Sequence, residues 1–506
     1  MTGTVLGVDV GTSGCRAAAY DTDLAEVAAA TVRYPITAPT PDRAEIDADE
    51  VWAAVAGCMC KVNAQLAEGP IAVAVAVQGE TVVPVGADGG VLAMAPIAVD
   101  MRAVAETASI CRAVGADRIR AITGQPPHPM FSVGKIAWLR REPQVWQRTA
   151  GVHCLGDLIA RRLGVEPAID YTMAARTMAF DVHQRRWSAE ILEAARIAAR
   201  WMPRAVPVGT ELGRMPRDIA WDLGFADPPL VVAGAHDQAC ALWGAGSTQP
   251  GQAALSLGTS ECLTVTVPGW PADLAASSFP MYRPCASDDW IVLAGIPSGG
   301  ASLDWLADLL YPSAAEDPLS QLISSIPDEP ARVLALPHLG GSGTAENDPL
   351  SRGAFIGLSH GTSRGELLRA LLEASGFEAA RNVHALTSAG IRITELRVTG
   401  GGTASGSLDQ AGSADQPSPI QVRASAAGLP LGVVGGHATA RGAAMVAGGA
   451  IGLYPALNTL GASIGPPAWV RPDPTTERWY QQQRQRYALL YPALRPVYHF
   501  PLGDDA

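Results

Sequence analysis

Val8-Asp9-Val10-Gly11-Thr12-Ser13-Gly14-Cys15-Arg16 and Ser256-Leu257-Gly258-Thr259-Ser260-Glu261-Cys262-Leu263 are two copies of one pattern. Each begins in an apolar run that predicts a strand (4–8 and 252–257). Each turns on Gly-Thr-Ser and leaves in a second strand-like run (16–20 and 263–267). A strand–turn–strand with a small, hydroxyl-rich tip offers several backbone N–H groups and two hydroxyls to one anion, a nest that suits phosphate. A single copy reads as readily as an ordinary glycine turn. A matched pair, near the start and the middle of the chain, predicts two related halves facing one another across a phosphate.

The rest of the composition is compatible with that reading. A chain of 506 residues exceeds what one core supports, so two or three domains are expected. Apolar residues make up 48% and charged residues 17%, which suits large buried cores. No apolar run approaches the ~18 residues of a membrane span, and no basic stretch followed by an apolar one opens the sequence. Eight cysteines scattered along the chain form neither a zinc pattern nor a disulfide framework. The expectation is a reduced, cytoplasmic setting with no membrane partner. A net charge of −12 argues against nucleic acid, which needs a basic face; Arg140-Arg141, Arg161-Arg162 and Arg185-Arg186 are isolated pairs. Only Lys61 and Lys135 are lysines, so there is no Gly-Lys-Ser/Thr loop, and no GxGxxG run follows a strand.

Strands at 4–8, 16–20 and 26–33 predict an antiparallel meander, followed by a helix over about 49–68 and a strand over 71–78. That order describes a mixed α/β sheet. A strand over 230–233 runs into Gly234-Ala235-His236-Asp237. Gly, Ser and Pro concentrate over 244–251, dividing an N-terminal domain, 1–244, from a C-terminal domain, 245–506. The second half repeats the plan: the Gly258 turn, a long helix near 366–387, a strand over 395–399, the run Gly400-Gly401-Gly402, and a small-residue helix near 441–444.

These residues resemble the FGGY carbohydrate kinases of the actin/hexokinase-like ATPase superfamily over nearly the whole chain. Met130-Phe131-Ser132 with Lys135, Trp138 and Glu142 is similar to the family's first signature. Gly353, Phe355, Gly357-Leu358, Glu366-Leu367 and Glu373 follow the second, with Leu371 departing mildly. The opening 7–13, the Gly-x-x-Asp-Gln at 234–238 and the glycine run at 400–402 also match, in order. The resemblance implies two duplicated actin-like (ribonuclease-H-like) α/β domains, with mixed sheets flanked by helices and a cleft between them. It also implies ATP and Mg²⁺ as cofactors and a small-molecule sugar as partner; a homodimer is left open. Lys135 reads equally as a functional residue or as an ordinary helix-surface lysine.

Phosphoryl transfer needs positioning, charge neutralisation and an in-line nucleophile. In an acidic protein the positive potential must come from Mg²⁺ and backbone N–H groups. Asp9, beside the first turn, is placed to hold the Mg²⁺ hydration shell. Gly11, Thr12 and Ser13 would cradle the terminal phosphates, with Gly258, Thr259 and Ser260 gripping from the other half. Arg16 would neutralise transferred charge, or serve as an exposed strand arginine. By resemblance, Gly400, Gly401 and Gly402 let backbone approach adenosine. A sugar hydroxyl is hardly ionised at neutral pH and gains from a carboxylate base. Asp237, at the carboxyl end of a strand, matches the family's catalytic Asp, and Gln238 its sugar-binding neighbour. Gln78, Gly79 and Glu80 follow the strand over 71–77, and Glu80 resembles the carboxylate that glycerol kinases set on a hydroxyl. Asp100 and Arg102 match the family's Asp-x-Arg, although Ala98 stands where a tryptophan is usual.

The substrate implied by overall resemblance is a ketopentose such as D-xylulose. His236 and Glu261 are similar to features of deoxy-ketose (fuculose-like) kinases, so another ketose, a sugar acid or a polyol stays open. So does a non-enzymatic actin-like module binding sugar and ATP. The paired turns with Asp9 beside one generate a first expectation: ADP release from ATP needs Mg²⁺ and accelerates when the sugar is present. Equal turnover in excess chelator, read by a coupled ADP assay, would remove the metal role from Asp9.

Overall fold

The computed structural model describes residues 3–500, leaving out 41, 275–276, 286–287, 297–298, 312–316 and 401–417. The described chain divides into two compact units, neither a single stretch of sequence. The first takes 1–250, 266–292 and 437–465, and the second 251–265, 293–436 and 466–506.

The first unit is built on a six-stranded sheet. Its order is Glu211–Arg214, Leu230–His236, Ala72–Val77, Val5–Val10, Gly14–Tyr20 and Glu26–Arg33. Val5–Val10, Gly14–Tyr20 and Glu26–Arg33 form the expected antiparallel meander. Ala72–Val77 lies parallel to both Val5–Val10 and Leu230–His236. Every residue of Ala72–Val77 is buried, as expected for a parallel strand covered on both faces. The helix Ala48–Asn63 starts at Asp47, whose carboxylate accepts from the N–H of Asp49 at 2.8 Å, and packs on the meander.

The small-residue helix of the second half, Ala438–Ala450, belongs to this first unit. It packs on Val5–Val10, Ala72–Val77 and the helix Asp237–Gly244. Glycine makes that approach possible. A Cβ on Gly7 would stand 1.8 Å from the Ala440 carbonyl oxygen, one on Gly244 1.8 Å from that of Ala438, and one on Gly442 2.0 Å from that of Cys240. Alternate strand residues share a face, so Asp9 stands on the side of Gly7, toward this helix.

In the second unit Gln252–Leu257 pairs antiparallel with Glu261–Pro268 and parallel with Glu395–Thr399. Leu431–Val433 and Ala468–Val470 continue beyond Glu395–Thr399. This is the arrangement of Val5–Val10, Gly14–Tyr20 and Ala72–Val77 again: a hairpin with a parallel strand beside its first arm. The pair Ser256↔Thr399 is equivalent to Asp9↔Ala76, which puts Gly400 at the place of Val77, just before Gln78. The long helix Arg364–Ser388 carries second-signature residues that hold the unit together. Glu366 accepts from the Arg332 N–H at 3.0 Å. Glu373, buried, accepts from the Ala331 N–H at 3.0 Å, from Arg369 Nε at 2.9 Å and from the Tyr480 hydroxyl at 2.9 Å.

Two glycines of helix Ala438–Ala450 separate packing from helix propensity. Gly442→Ala should destabilise by about 1–3 kcal/mol, because its methyl has no room. Gly449→Ala, with nothing within 4 Å of its Cβ, should be neutral or mildly stabilising. Urea midpoints of the two variants check this; equal effects would refute the packing account.

Candidate active site

Strand Leu230–His236 is buried along nearly its whole length and delivers Asp237 to its carboxyl end. A Cβ on Gly234 would lie 1.9 Å from the Val75 carbonyl oxygen, so only glycine allows this strand its course past Ala72–Val77. The corner is then pinned. The His236 N–H donates to Thr172 Oγ1 at 2.7 Å, and the Thr172 hydroxyl donates to Asp170. Asp170 also caps the short helix Tyr171–Ala175, accepting from the N–H groups of Thr172 at 2.8 Å and Met173 at 3.1 Å.

Asp237 opens the helix Asp237–Gly244 with its side chain 21% exposed. Its Oδ1 lies 3.2 Å from His236 Nε2 but has no aligned hydrogen-bond partner among the described residues. Burial pushes the Asp237 carboxyl up to about 8, and the charges of Asp9 and Glu80 add to the shift; Arg176 opposes it. Burial, then Arg176, holds His236 well below its usual range, so the imidazole is neutral. Gln238 Oε1, Gln78 Nε2 and Thr81 Oγ1 are likewise buried without partners. An unpaired buried polar atom costs about 1–3 kcal/mol, so a group of them marks a place prepared for a ligand.

The loop after Ala72–Val77 is built around Glu80, buried and in the left-handed region at φ 63°. A non-glycine residue pays for that conformation, and its surroundings over-determine it. The Glu80 carboxylate is ion-paired with Arg176, whose Nη1 donates to Gln125 Oε1 at 3.2 Å and whose guanidinium lies 4.9 Å from the Phe131 ring centre. Beneath the loop, Lys135 is fully buried, not on a helix surface. Its Nζ donates to the carbonyls of Ile97 at 2.6 Å and Glu80 at 3.4 Å. Burial lowers the Lys135 ammonium to about 8, against the pull of Glu80 and Asp100. A Cβ on Gly79 would lie 3.0 Å from His236 Nε2 and 3.4 Å from Arg176 Nε. Gly79 therefore brings the loop against the Asp237 corner.

Asp100 and Arg102 do not present free groups to a sugar. Asp100 is fully buried; Oδ1 accepts from the Arg102 N–H at 3.1 Å and Arg102 Nε at 2.8 Å, and Oδ2 from the Ala44 N–H at 2.9 Å. Arg102 also pairs with Glu45 at 2.5 Å and stacks 4.8 Å from the Trp138 ring centre. The two side chains are thus engaged with one another, with the Ala44 N–H and with Glu45. Glu80, read as a direct sugar ligand, likewise has its carboxylate engaged by Arg176.

Both Gly-Thr-Ser turns form. In the first, the Gly11 N–H donates to the Gly14 carbonyl at 3.0 Å and Tyr34 donates to the Gly11 carbonyl, while Ser13 is exposed. Asp9 is half-buried; burial raises its carboxyl to about 6, against the pull of Arg16 and His437. Arg16 pairs across the hairpin with Asp9, and its Nε donates to Thr31 Oγ1 at 3.0 Å. In the second, the carbonyls of Gly258 and Thr259 accept from the first N–H groups of helix Gly300–Leu310, at 2.8 Å and 3.2 Å, leaving Thr259 and Ser260 exposed. Glu261 is closed into a buried set, accepting from Ser375 Oγ at 2.6 Å and pairing with Arg423 at 3.2 Å. Gly400 has φ 113°, and a Cβ there would stand 2.5 Å from the Leu257 carbonyl oxygen. Gly401 and Gly402 lie outside the described residues.

Sequence reading missed Arg176, Gln125 and Tyr282. None lies in a periodic or glycine-rich pattern, and each meets its partner across a long stretch of chain. For Lys135 the sequence offered two hints, its place in the first family signature and the scarcity of lysine.

The model for the FGGY family of carbohydrate kinases, N-terminal domain, matches residues 4–244, and that for the C-terminal domain matches 253–451. A xylulose kinase of Escherichia coli is 31% identical over 79% of this chain and 82% of its own. A glycerol kinase of Gloeobacter violaceus is 30% identical over 90% of this chain and 89% of its own. The crystal structure of a xyloylose kinase from Brucella ovis superposes with a TM-score of 0.82 at 27% identity, covering 98% of this chain and 100% of that one. Among the described residues no helix is long and apolar enough to cross a membrane.

The raised Asp237 carboxyl makes a prediction about the empty protein. A carboxyl whose folded pKa lies above its unfolded value of 3.8 contributes stability below that value and loses it as pH rises through about 8. Asp237→Asn, which never ionises, should therefore melt increasingly above the natural protein from about pH 4 to about pH 8, then level off. Melting curves across that range without nucleotide or metal check it; a pH-independent difference would contradict the assigned environment.

Proposed function

Because this chain belongs to the FGGY family of carbohydrate kinases and is therefore an ATP-dependent sugar kinase, we propose that it phosphorylates a ketopentose such as D-xylulose at a terminal primary hydroxyl. The observation that carries the assignment of the reacting corner is Asp237. It is a mostly buried carboxylate at the end of its strand, next to the unpaired Oε1 of Gln238 and across from the unpaired Nε2 of Gln78 on the neighbouring strand end. Several such groups suit a substrate that brings several hydroxyls.

In this reading Asp237 takes the hydroxyl proton as the sugar oxygen bonds to the γ-phosphorus and the bond to ADP breaks. Gln78 and Gln238 fix neighbouring hydroxyls, with Gly79 keeping the loop close. Residues 1–244 supply the sugar groups and first phosphate turn. Residues 245–506 supply Gly258, Thr259, Ser260 and the glycine run from Gly400 for the nucleotide. Asp9 would hold Mg²⁺ through its water shell. The residues fit that role: Asp9 carries a destabilised carboxyl, and no described group of three or more His, Cys, Asp or Glu could hold a bare ion. Mg²⁺ keeps several waters and phosphate oxygens in such sites and supplies charge neutralisation. The charge of Asp9 is one of the two that raise the Asp237 carboxyl, and neutralising it is the chemistry that an ion held by Asp9 would supply there.

A polyol is the second reading, favoured by the 30% identity with a glycerol kinase over 90% of this chain. A coupled ADP-release assay over ketoses, polyols and sugar acids decides. Strong activity on glycerol or gluconate with none on any ketose would overturn the ketose. With the best sugar, Asp237→Asn should lower kcat by about 10²–10⁴-fold with nearly unchanged ATP binding. A rise in sugar KM alone would mark plain binding.

A further inference from the structure

Tyr282 reaches the Asp237 corner from a segment far along the chain. Its neighbour Met281 donates its N–H to the Gly124 carbonyl at 2.8 Å, and the Met281 carbonyl accepts from Gln125 Nε2 at 2.7 Å. Gly124, at φ 69°, admits this contact; a Cβ there would stand 2.4 Å from the Met281 carbonyl oxygen. Just upstream, Arg120 Nη2 donates to the carbonyls of Leu274 and Phe279, both at 2.8 Å. The Tyr282 backbone is thus clamped, and its buried hydroxyl lies 3.0 Å from His236 Nδ1 with the rings edge to face at 88°. The opposite nitrogen, Nε2, lies 3.2 Å from Asp237 Oδ1, at ion-pair distance but not aligned as a hydrogen bond.

We propose that His236, with its tautomer set by Tyr282, is the positioning residue that holds Asp237 Oδ1 and leaves the second carboxylate oxygen to meet the substrate hydroxyl. A neutral imidazole has one donor and one acceptor. Facing an ionised carboxylate, Nε2 must carry the hydrogen, since its lone pair would repel the anion. Nδ1 is then the acceptor, and a tyrosine hydroxyl can donate to it. His236 thereby does for Asp237 what the orienting member of a catalytic pair does for its base. The inference rests on the base assignment above, and neither residue touches the sugar in this scheme.

Tyr282→Phe removes only the hydroxyl. It should lower kcat by about 10- to 100-fold, as expected for a slightly misplaced reacting group. The KM values for sugar and ATP should stay within about twofold, the signature of a loss confined to the transition state. His236→Gln keeps an N–H within reach of Asp237 and should be more active than His236→Ala; in the His236→Gln background Tyr282→Phe should have no further effect. Natural kcat in Tyr282→Phe, or an equal loss in both backgrounds, would overturn the relay.

A second arm needs no turnover. In histidine-¹⁵N-labelled protein, well above the pH at which Asp237 titrates, His236 should be protonated at Nε2, and Tyr282→Phe should mix the tautomers. A purely Nδ1-protonated ring in the natural protein would refute the proposal. Should no sugar be phosphorylated by the natural protein, the base assignment fails, and the tautomer spectrum still judges the His236–Tyr282 contact.

Discussion

The first unit is organised around charges that had to be buried in balance. Lys135, Arg176 and Arg102 lie beneath the loops at 78–81 and 97–102, and Glu80, Asp100 and Glu45 lie with them. An ion taken from water without a partner costs several kcal/mol, and removing one member of a buried pair typically costs 3–5 kcal/mol. The consequence is geometric. The charged groups also tie backbone: Lys135 gathers the carbonyls of Ile97 and Glu80, and Asp100 holds the Ala44 N–H. The strained conformation of Glu80 is the local cost of bringing Gly79 to the Asp237 corner. The first family signature makes physical sense as the floor of this assembly: Phe131 lies under Arg176, Lys135 under Glu80 and Trp138 under Arg102.

The two Gly-Thr-Ser turns are duplicated in plan but finished differently. The first spends its Gly11 carbonyl on Tyr34, whereas the second spends two carbonyls on the start of helix Gly300–Leu310. In both, the leading glycine also donates its N–H within the turn, Gly11 to the Gly14 carbonyl at 3.0 Å and Gly258 to the Ser260 carbonyl at 3.2 Å, while Ser13, Thr259 and Ser260 are exposed. The first strand carries an acid, Asp9, at the place where the second carries Ser256. That difference gives the first turn a carboxylate beside it and the second a hydroxyl.

What could be read from sequence was local. Strand, turn and strand around Gly11 and Gly258 are each encoded within some fifteen residues, and Asp237 announces itself by standing at the end of an apolar run. The long helix and the strands flanking both turns were legible for the same reason. The remainder depends on meetings between distant residues: Arg176 with Glu80, 96 positions apart, His236 with Tyr282, 46 apart, and Lys135 with Ile97, 38 apart. No periodicity records such pairs. The mutual pairing of Asp100 and Arg102 was also not legible, because a short acidic–basic motif looks the same in sequence whether or not its members bond to each other. The placement of Ala438–Ala450 was hidden too, since its alanines and glycines announce close packing without saying against what.

That placement bears on how the protein is made. Gly7 and the helix that covers it, Ala438–Ala450, are more than 400 residues apart. At a synthesis rate of about 5–20 residues per second, the strand waits about 20–90 seconds for its cover. Through that interval the nascent chain presents the uncovered face of Val5–Val10 and Ala72–Val77 to the cell. The sheet around Val5–Val10 can therefore be closed on this face only after residue 450 has been made, long after the last of its own strands.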